Sequence, residues 1–158
     1  MHGDGNGWTD CDRGHRHWGR FGAAGLLVTD GEQVLLQYRA AWTHDGNSWG
    51  IPGGALDSHE DPATAARREA AEETDLDLSQ LTAGPVSPDD HGGWSYTTVL
   101  AWTDRRDEVR PLSPESDRLA WYALDAVNDL PLHWGFKLAW PDLRNLIVLN
   151  DPTVATTD

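Results

Sequence analysis

A helix-forming run that begins at Asp61-Pro62 constrains this chain more tightly than any other segment. Asp accepts backbone N–H groups as an N-cap and Pro is pre-set for a first turn, so a helix is expected from there to about Thr74. Alanine dominates its interior, and Ala63, Ala66 and Ala70 offer small side chains that would let the helix approach a sheet. On the adjacent face Glu69, Glu72 and Glu73 stand at i, i+3 and i+4, so the three carboxylates share one side. Like charges so placed repel by a few tenths of a kcal/mol per pair on an exposed helix. A cation would remove that cost, and carboxylate oxygens are hard ligands suited to Mg2+ or Mn2+ bridging protein and phosphate. Taken alone, three glutamates read more simply as a solvated acidic face.

The segments around this helix define an α/β chain. Phe21 to Thr29 is a short apolar run that meets a turn at Asp30-Gly31, and Gln33 to Arg39 follows, so a β-hairpin is expected. Trp42 to Asn47 reads as a loop, and WGIPGGALDS combines a short extended piece with paired glycines. Beyond the helix an acidic, proline-containing connection leads to strands at Ser95–Trp102 and Arg118–Leu124, separated by the polar stretch TDRRDEVRPLSPES. Apolar residues near helical spacing over 135–149 predict a C-terminal helix that Pro141 breaks or restarts. Strands that precede, flank and follow the central helix argue for a mixed β-sheet between helices. Residues 1–19 read as an irregular or partly ordered lead-in, 20–150 as the domain and 151–158 as a C-terminal tail.

Charge narrows the partners. Twelve Lys and Arg against 26 Asp and Glu give a net charge of -14 over 158 residues, the wrong sign for a protein that holds duplex nucleic acid by many phosphate contacts. A polyanionic substrate would need a local cation to overturn that field, and a divalent metal is the simplest one. Cys11 is the sole cysteine, which excludes an internal disulfide and fits a reducing cytoplasm. No apolar run approaches a membrane span or resembles a signal peptide. His15, His17, His44, His59, His91 and His133 show no dense ligand spacing, so no zinc site is expected and Cys11 reads as incidental.

The stretch from Gly54 to Leu76 gives the glutamates a context. Gly54, Glu60, Arg68, Glu69, Ala70, Glu72, Glu73 and Leu76 stand in one register that resembles the Nudix box of the MutT-like Nudix hydrolases; Asp75 alone departs, where the family has Gly. With the preceding WGIPGG and the strand order, the resemblance extends over most of residues 20–149. It implies a Nudix α/β/α sandwich and a Mg2+-dependent pyrophosphohydrolase, with Mn2+ able to substitute. The substrate would be a nucleoside di- or triphosphate derivative, cut to a nucleoside monophosphate plus pyrophosphate or a phosphorylated leaving group. Many relatives pair as homodimers.

The resemblance also implies roles. Glu69, Glu72 and Glu73 would bind catalytic metal, assisted by the backbone carbonyl of Gly53, while Gly54, Glu60 and Arg68 would support the loop-helix geometry. Glu115, in PLSPES before a late strand, is the leading candidate for a further metal ligand or general base, with Asp117 in reserve. Arg39 could aim a bidentate guanidinium at phosphate, and Trp42, Trp49, Trp94 and Tyr96 could offer a stacking surface for a base. Asp75 would close the helix in the left-handed conformation that Gly usually takes there. Two other readings share the fold: a non-catalytic Nudix-like nucleotide sensor, which usually needs a DNA-binding module longer than the roughly 20 residues before the first strand, and isopentenyl-diphosphate isomerase chemistry, for which the cysteine is in the wrong segment.

Overall fold

The structure, a computed structural model, describes residues 4–11, 14, 16–43 and 45–151. Its centre is a pair of strands that start together and separate. β3 (Ala23–Thr29) and β4 (Gln33–Arg39) are joined by the expected turn, in which the Asp30 carboxylate accepts the Glu32 and Gln33 N–H groups and Gly31 takes φ 95°. They pair only at Thr29 and Val34. Beyond that point the chain from Trp49 to Ala55 is wedged between them: β5 (Trp49–Gly50) pairs with β4, and β6 (Gly53–Ala55) pairs with β3.

The rest of the sheet is built on these two strands. β8 (Ser95–Trp102) runs parallel to β3, which makes the sheet mixed, and β9 (Ser116–Ala123) pairs antiparallel with β4. β7 (Thr82–Asp90) lies on the outer edge of β8, where a connection was expected. The correction has a plain cause. Pro85 and Pro88 cannot donate to a ladder, which argues against a strand in sequence but is tolerated on a sheet edge, and the register shifts between Ala83 and Val86.

Alternating side chains send the two faces of the sheet to two helices. Ala24, Leu26 and Val28 of β3, Leu35 of β4, and Val99 and Ala101 of β8 cluster with α1 (Pro62–Glu73). Leu27, Val34, Leu36, Leu100 and Trp102 cluster with Phe136, Trp140, Leu143 and Ile147 of α2 (Trp134–Asn150). Burial on both faces explains why β3 reads as a continuous apolar run rather than an alternating one. Each large side chain buried to this extent contributes roughly 1.5–3 kcal/mol. α2 continues through Pro141, which is exposed, as is Lys137, whose carbonyl would otherwise have accepted the missing N–H. Among the described residues no helix is long and apolar enough to cross a membrane.

Part of the lead-in is ordered: β1 (Trp8–Asp10) and β2 (Arg16–Trp18) pair antiparallel, and Arg20 N–H donates to the Gly5 carbonyl at 2.8 Å. In the tail, residues 152–158 lie outside the described residues. In α1 the sheet-facing alanines are Ala65, Ala66 and Ala70, each at 0% exposure, whereas Ala63 is exposed. Replacing Ala66 by Leu should therefore overpack the α1 interface and cost about 1–3 kcal/mol in urea unfolding, while Ala63→Leu should stay within about 0.5 kcal/mol of the parent.

Candidate active site

The loop that follows β6 turns the chain into α1. Asp57 N–H donates to Glu60 Oε1 at 2.9 Å, and the Asp61 side chain accepts from Thr64 N–H at 2.7 Å as the N-cap. Arg68 then grips the loop from the helix. Its Nε reaches Glu60 Oε2 at 2.7 Å and its Nη2 reaches Glu60 Oε1 at 2.8 Å, a bidentate pair, and Nη2 also donates to the Ala55 carbonyl at 3.0 Å. The other terminal nitrogen contacts Glu69 Oε1 at 2.9 Å and Glu72 Oε1 at 3.5 Å. Its hydrogen bond to Glu60 holds Arg68 firmly protonated and lowers the Glu60 carboxyl below its usual range. Through these contacts Arg68 and Glu60 join the loop to the helix.

β6 lies directly under the carboxylates, and its glycines make that approach possible. A Cβ on Gly54 would come within 2.5–2.7 Å of the Glu69 carboxylate. One on Gly53 would come within 2.5 Å of the Ala24 carbonyl oxygen and 2.9 Å of the Tyr96 hydroxyl. Neither glycine has positive φ, so closeness rather than backbone conformation excludes side chains here.

The glutamates are not equivalent. Glu72 is nearly half exposed. Burial raises the Glu69 carboxyl, opposed by Arg68. Glu73 is the most confined: burial, then repulsion from Glu69, pushes its carboxyl up to about 8, although the Gly53 backbone N–H and the Gln37 side chain favour the charged form. Its Oε2 has no hydrogen-bond partner among the described residues. The contact identified at Gly53 is thus through its N–H.

These groups border a cavity of about 640 Å3. Arg39 and Glu115 line it too, brought side by side because Ala40 N–H donates to the Glu115 carbonyl at 2.8 Å and Arg39 pairs with Ser116. Asp117 is exposed and pairs with Arg118. Trp94 and Tyr96 line the cavity, with one face of the Trp94 ring covered by His17, stacked at 3.9 Å. Trp49 does not serve as the expected stacking surface. It is 4% exposed, within the α2 core against Tyr38 and Tyr122, because β5 must fill the gap beside β4. Trp42 is 68% exposed and lies away from the cavity lining.

Several lining residues escaped the sequence. Trp49 N–H donates to the Pro131 carbonyl and His133 N–H to the Trp49 carbonyl, each at 2.8 Å, which pins the start of α2 beside β5 and sets Trp134 and Phe136 on the cavity wall. No local pattern separates them from ordinary core positions. Buried Cys11 meets His17 and His91, two residues of the cavity lining, while His15 and His44 lie outside the described residues.

The end of α1 also departs from expectation. Asp75 is not left-handed; Thr74 leaves the helix in an extended conformation (φ -139°, ψ 160°). The 110–112 segment caps it instead. Asp75 N–H donates to the Arg110 carbonyl at 3.0 Å, Arg110 N–H to Asp75 Oδ1 at 2.7 Å, and Leu112 N–H to the Glu73 carbonyl at 2.7 Å. These bonds replace the glycine cap.

Known proteins share this fold. The NUDIX domain family model matches residues 19–141. A Mycobacterium tuberculosis (strain ATCC 25618 / H37Rv) protein, provisionally named 8-oxo-dGTP diphosphatase 3, is 45% identical over 155 residues, covering 91% of this chain and 71% of that protein. The crystal structure of a Nudix hydrolase from M. smegmatis, RenU, superposes with a TM-score of 0.80 at 40% identity, covering 98% of both chains. A bifunctional NMN adenylyltransferase/ADP ribose pyrophosphatase from Francisella tularensis, complexed with AMP and Mn ion, is alike in fold alone, with a TM-score of 0.62 at 22% identity over 80% of this chain and 42% of that one.

The raised Glu73 carboxyl has a measurable signature. Between the unfolded value of 4.5 and the folded value of about 8, the folded metal-free protein keeps a proton that the unfolded chain has lost. Stability from this group therefore falls as pH rises through that window. In a chelating buffer the melting temperature should drop between about pH 5 and pH 8, and Glu73→Gln should flatten that slope in differential scanning fluorimetry.

Proposed function

From the premise that the chain belongs to the Nudix family and is a hydrolase of phosphoanhydride bonds, we propose that it converts a purine nucleoside triphosphate, oxidised at the base, to the monophosphate and pyrophosphate. The observation that carries this reading is the Glu73 Oε2 atom, buried beside Glu69 at the floor of the cavity with no hydrogen-bond partner among the described residues. An orphaned carboxylate oxygen is costly to bury unless a cation completes it. The donor set suits a hard divalent ion, and we assign Mg2+, with Mn2+ as substitute, to Glu69, Glu72, Glu73 and the Gly53 carbonyl. When bound, such an ion neutralises phosphate charge, polarises the bond to be cut and activates water.

The residues of the chain do the rest. Arg68 keeps Glu69 and Glu72 oriented, and the bare backbone at Gly53 and Gly54 leaves room for the phosphate chain. Glu115 accepts the proton of the attacking water, whose oxygen bonds to phosphorus as the anhydride P–O bond breaks and pyrophosphate leaves. Arg39 neutralises the departing phosphates. The aromatic wall of Trp94, Tyr96 and Trp134 receives the base. The name of the Mycobacterium tuberculosis relative supports an oxidised purine.

A mass-spectrometric screen of nucleoside triphosphates, dinucleotides and nucleotide sugars with Mg2+ should show the highest kcat/KM for an oxidised purine triphosphate. Preference for a dinucleotide or nucleotide sugar would overturn that choice, and no metal-dependent turnover would overturn the whole reading. Glu73→Gln should lower kcat by about two orders of magnitude or more. Glu115→Gln should lower kcat by about 10²–10⁴-fold while leaving KM close to the parent value.

A further inference from the structure

Beside the cavity, residues far apart in sequence bring a thiol and two imidazoles together. Cys11 follows β1, His17 lies in β2 and His91 follows β7. Their ligand-capable atoms all lie within 4.8 Å of one another, and all three residues are buried. His17 Nε2 is 3.3 Å from Cys11 Sγ. Tetrahedral zinc, with bonds of about 2.3 Å to sulfur and about 2.0 Å to nitrogen, sets its ligands about 3.3–3.6 Å apart, so only a modest contraction would close the set.

His91 points to a ligand independently of the cysteine. It is 6% exposed, its Nε2 is 2.8 Å from Asp89 Oδ2, and its Nδ1 is buried with no hydrogen-bond partner among the described residues. With Nε2 carrying the hydrogen toward the Asp89 carboxylate, Nδ1 holds a lone pair and nothing to give it to. A carboxylate behind an imidazole is the arrangement that fixes a metal-binding tautomer and raises its basicity. The ring of His17 is likewise held, stacked on Trp94 at 3.9 Å and edge-on to His91 at 4.9 Å.

We propose that Cys11, His17 and His91 form a site for one Zn2+ ion, bound through the Cys11 thiolate, the His17 and His91 imidazoles, and a fourth position open to the cavity. A thiolate with two imidazoles selects a borderline d-block ion over the hard ions that suit glutamates. Charge also closes: the buried Cys11 thiolate and the half-exposed Asp89 carboxylate together offset the dication. His17 and His91 line the cavity while Cys11 lies behind them, so the open position faces the space where a nucleotide would enter. Bound zinc would clamp the β1–β2 pair to the β7–β8 turn. This site stands on observations separate from those that support the hydrolase reading.

Cobalt titration of the chelator-treated full chain, with excess Mg2+ to occupy the glutamates, tests the site directly. The wild type should develop a thiolate-to-cobalt charge-transfer band that saturates at one equivalent and is erased by Zn2+. Cys11→Ser should abolish the band. His91→Ala should weaken binding about tenfold or more, Asp89→Asn should weaken it about 10–100-fold with the band retained, and Glu69→Gln should leave it unchanged. A wild-type protein that takes up cobalt without that band overturns the proposal whatever the variants do. So does equal affinity in His91→Ala.

Discussion

Collecting three carboxylates at the edge of one cavity, in a chain that already carries a net charge of -14, is the constraint around which the structure is arranged. Arg68 answers part of it. One guanidinium locks Glu60 through two bonds, touches Glu69 and Glu72, and ties the helix to the Ala55 carbonyl. Loss of that side chain would leave the carboxylates to repel one another and the loop to drift from the helix, so electrostatics and geometry fail together. What Arg68 does not reach is Glu73, whose unmatched oxygen is the residual debt of the fold and the reason the site calls for a cation.

The sheet supplies the platform by opening. Because β3 and β4 pair at one residue pair and then separate, two short strands can enter between them. The carboxylates are held over bare backbone, and the same wedge pins the start of α2 beside the cavity. One topological choice thus positions both the acidic floor and the aromatic wall. The unusually continuous apolar character of β3 follows from the same arrangement, since helices cover both of its faces.

Local pattern made α1, β8 and α2 legible, because caps and periodicity are encoded within each segment. The carboxylate face and the Glu60–Arg68 pair were legible through the resemblance of the Gly54–Leu76 register. Features that depend on distant chain were not. β7 hides behind Pro85 and Pro88, which only an edge position excuses. Trp49 and Trp94 look alike in sequence, yet one fills the gap beside β4 and the other lines the cavity. Ala63 and Ala65 differ by a rotation of the helix that composition cannot fix. Cys11, His17 and His91 share no spacing rule, and only the docking of the β1–β2 pair against the β7–β8 turn brings them together.

The manner in which α1 ends bears on how the molecule assembles. A glycine cap would let the last helical turn close on its own, from residues next to it in sequence. Here the carbonyl of Glu73 and the N–H of Asp75 are satisfied by residues 110–112, so that turn is completed by chain some 35 residues downstream. Closing so long a loop is slow compared with helix growth. The acidic floor consequently acquires its final geometry late in folding, after the sheet has recruited β8, and a cut in the exposed 104–108 stretch would loosen that floor before it disturbed the core.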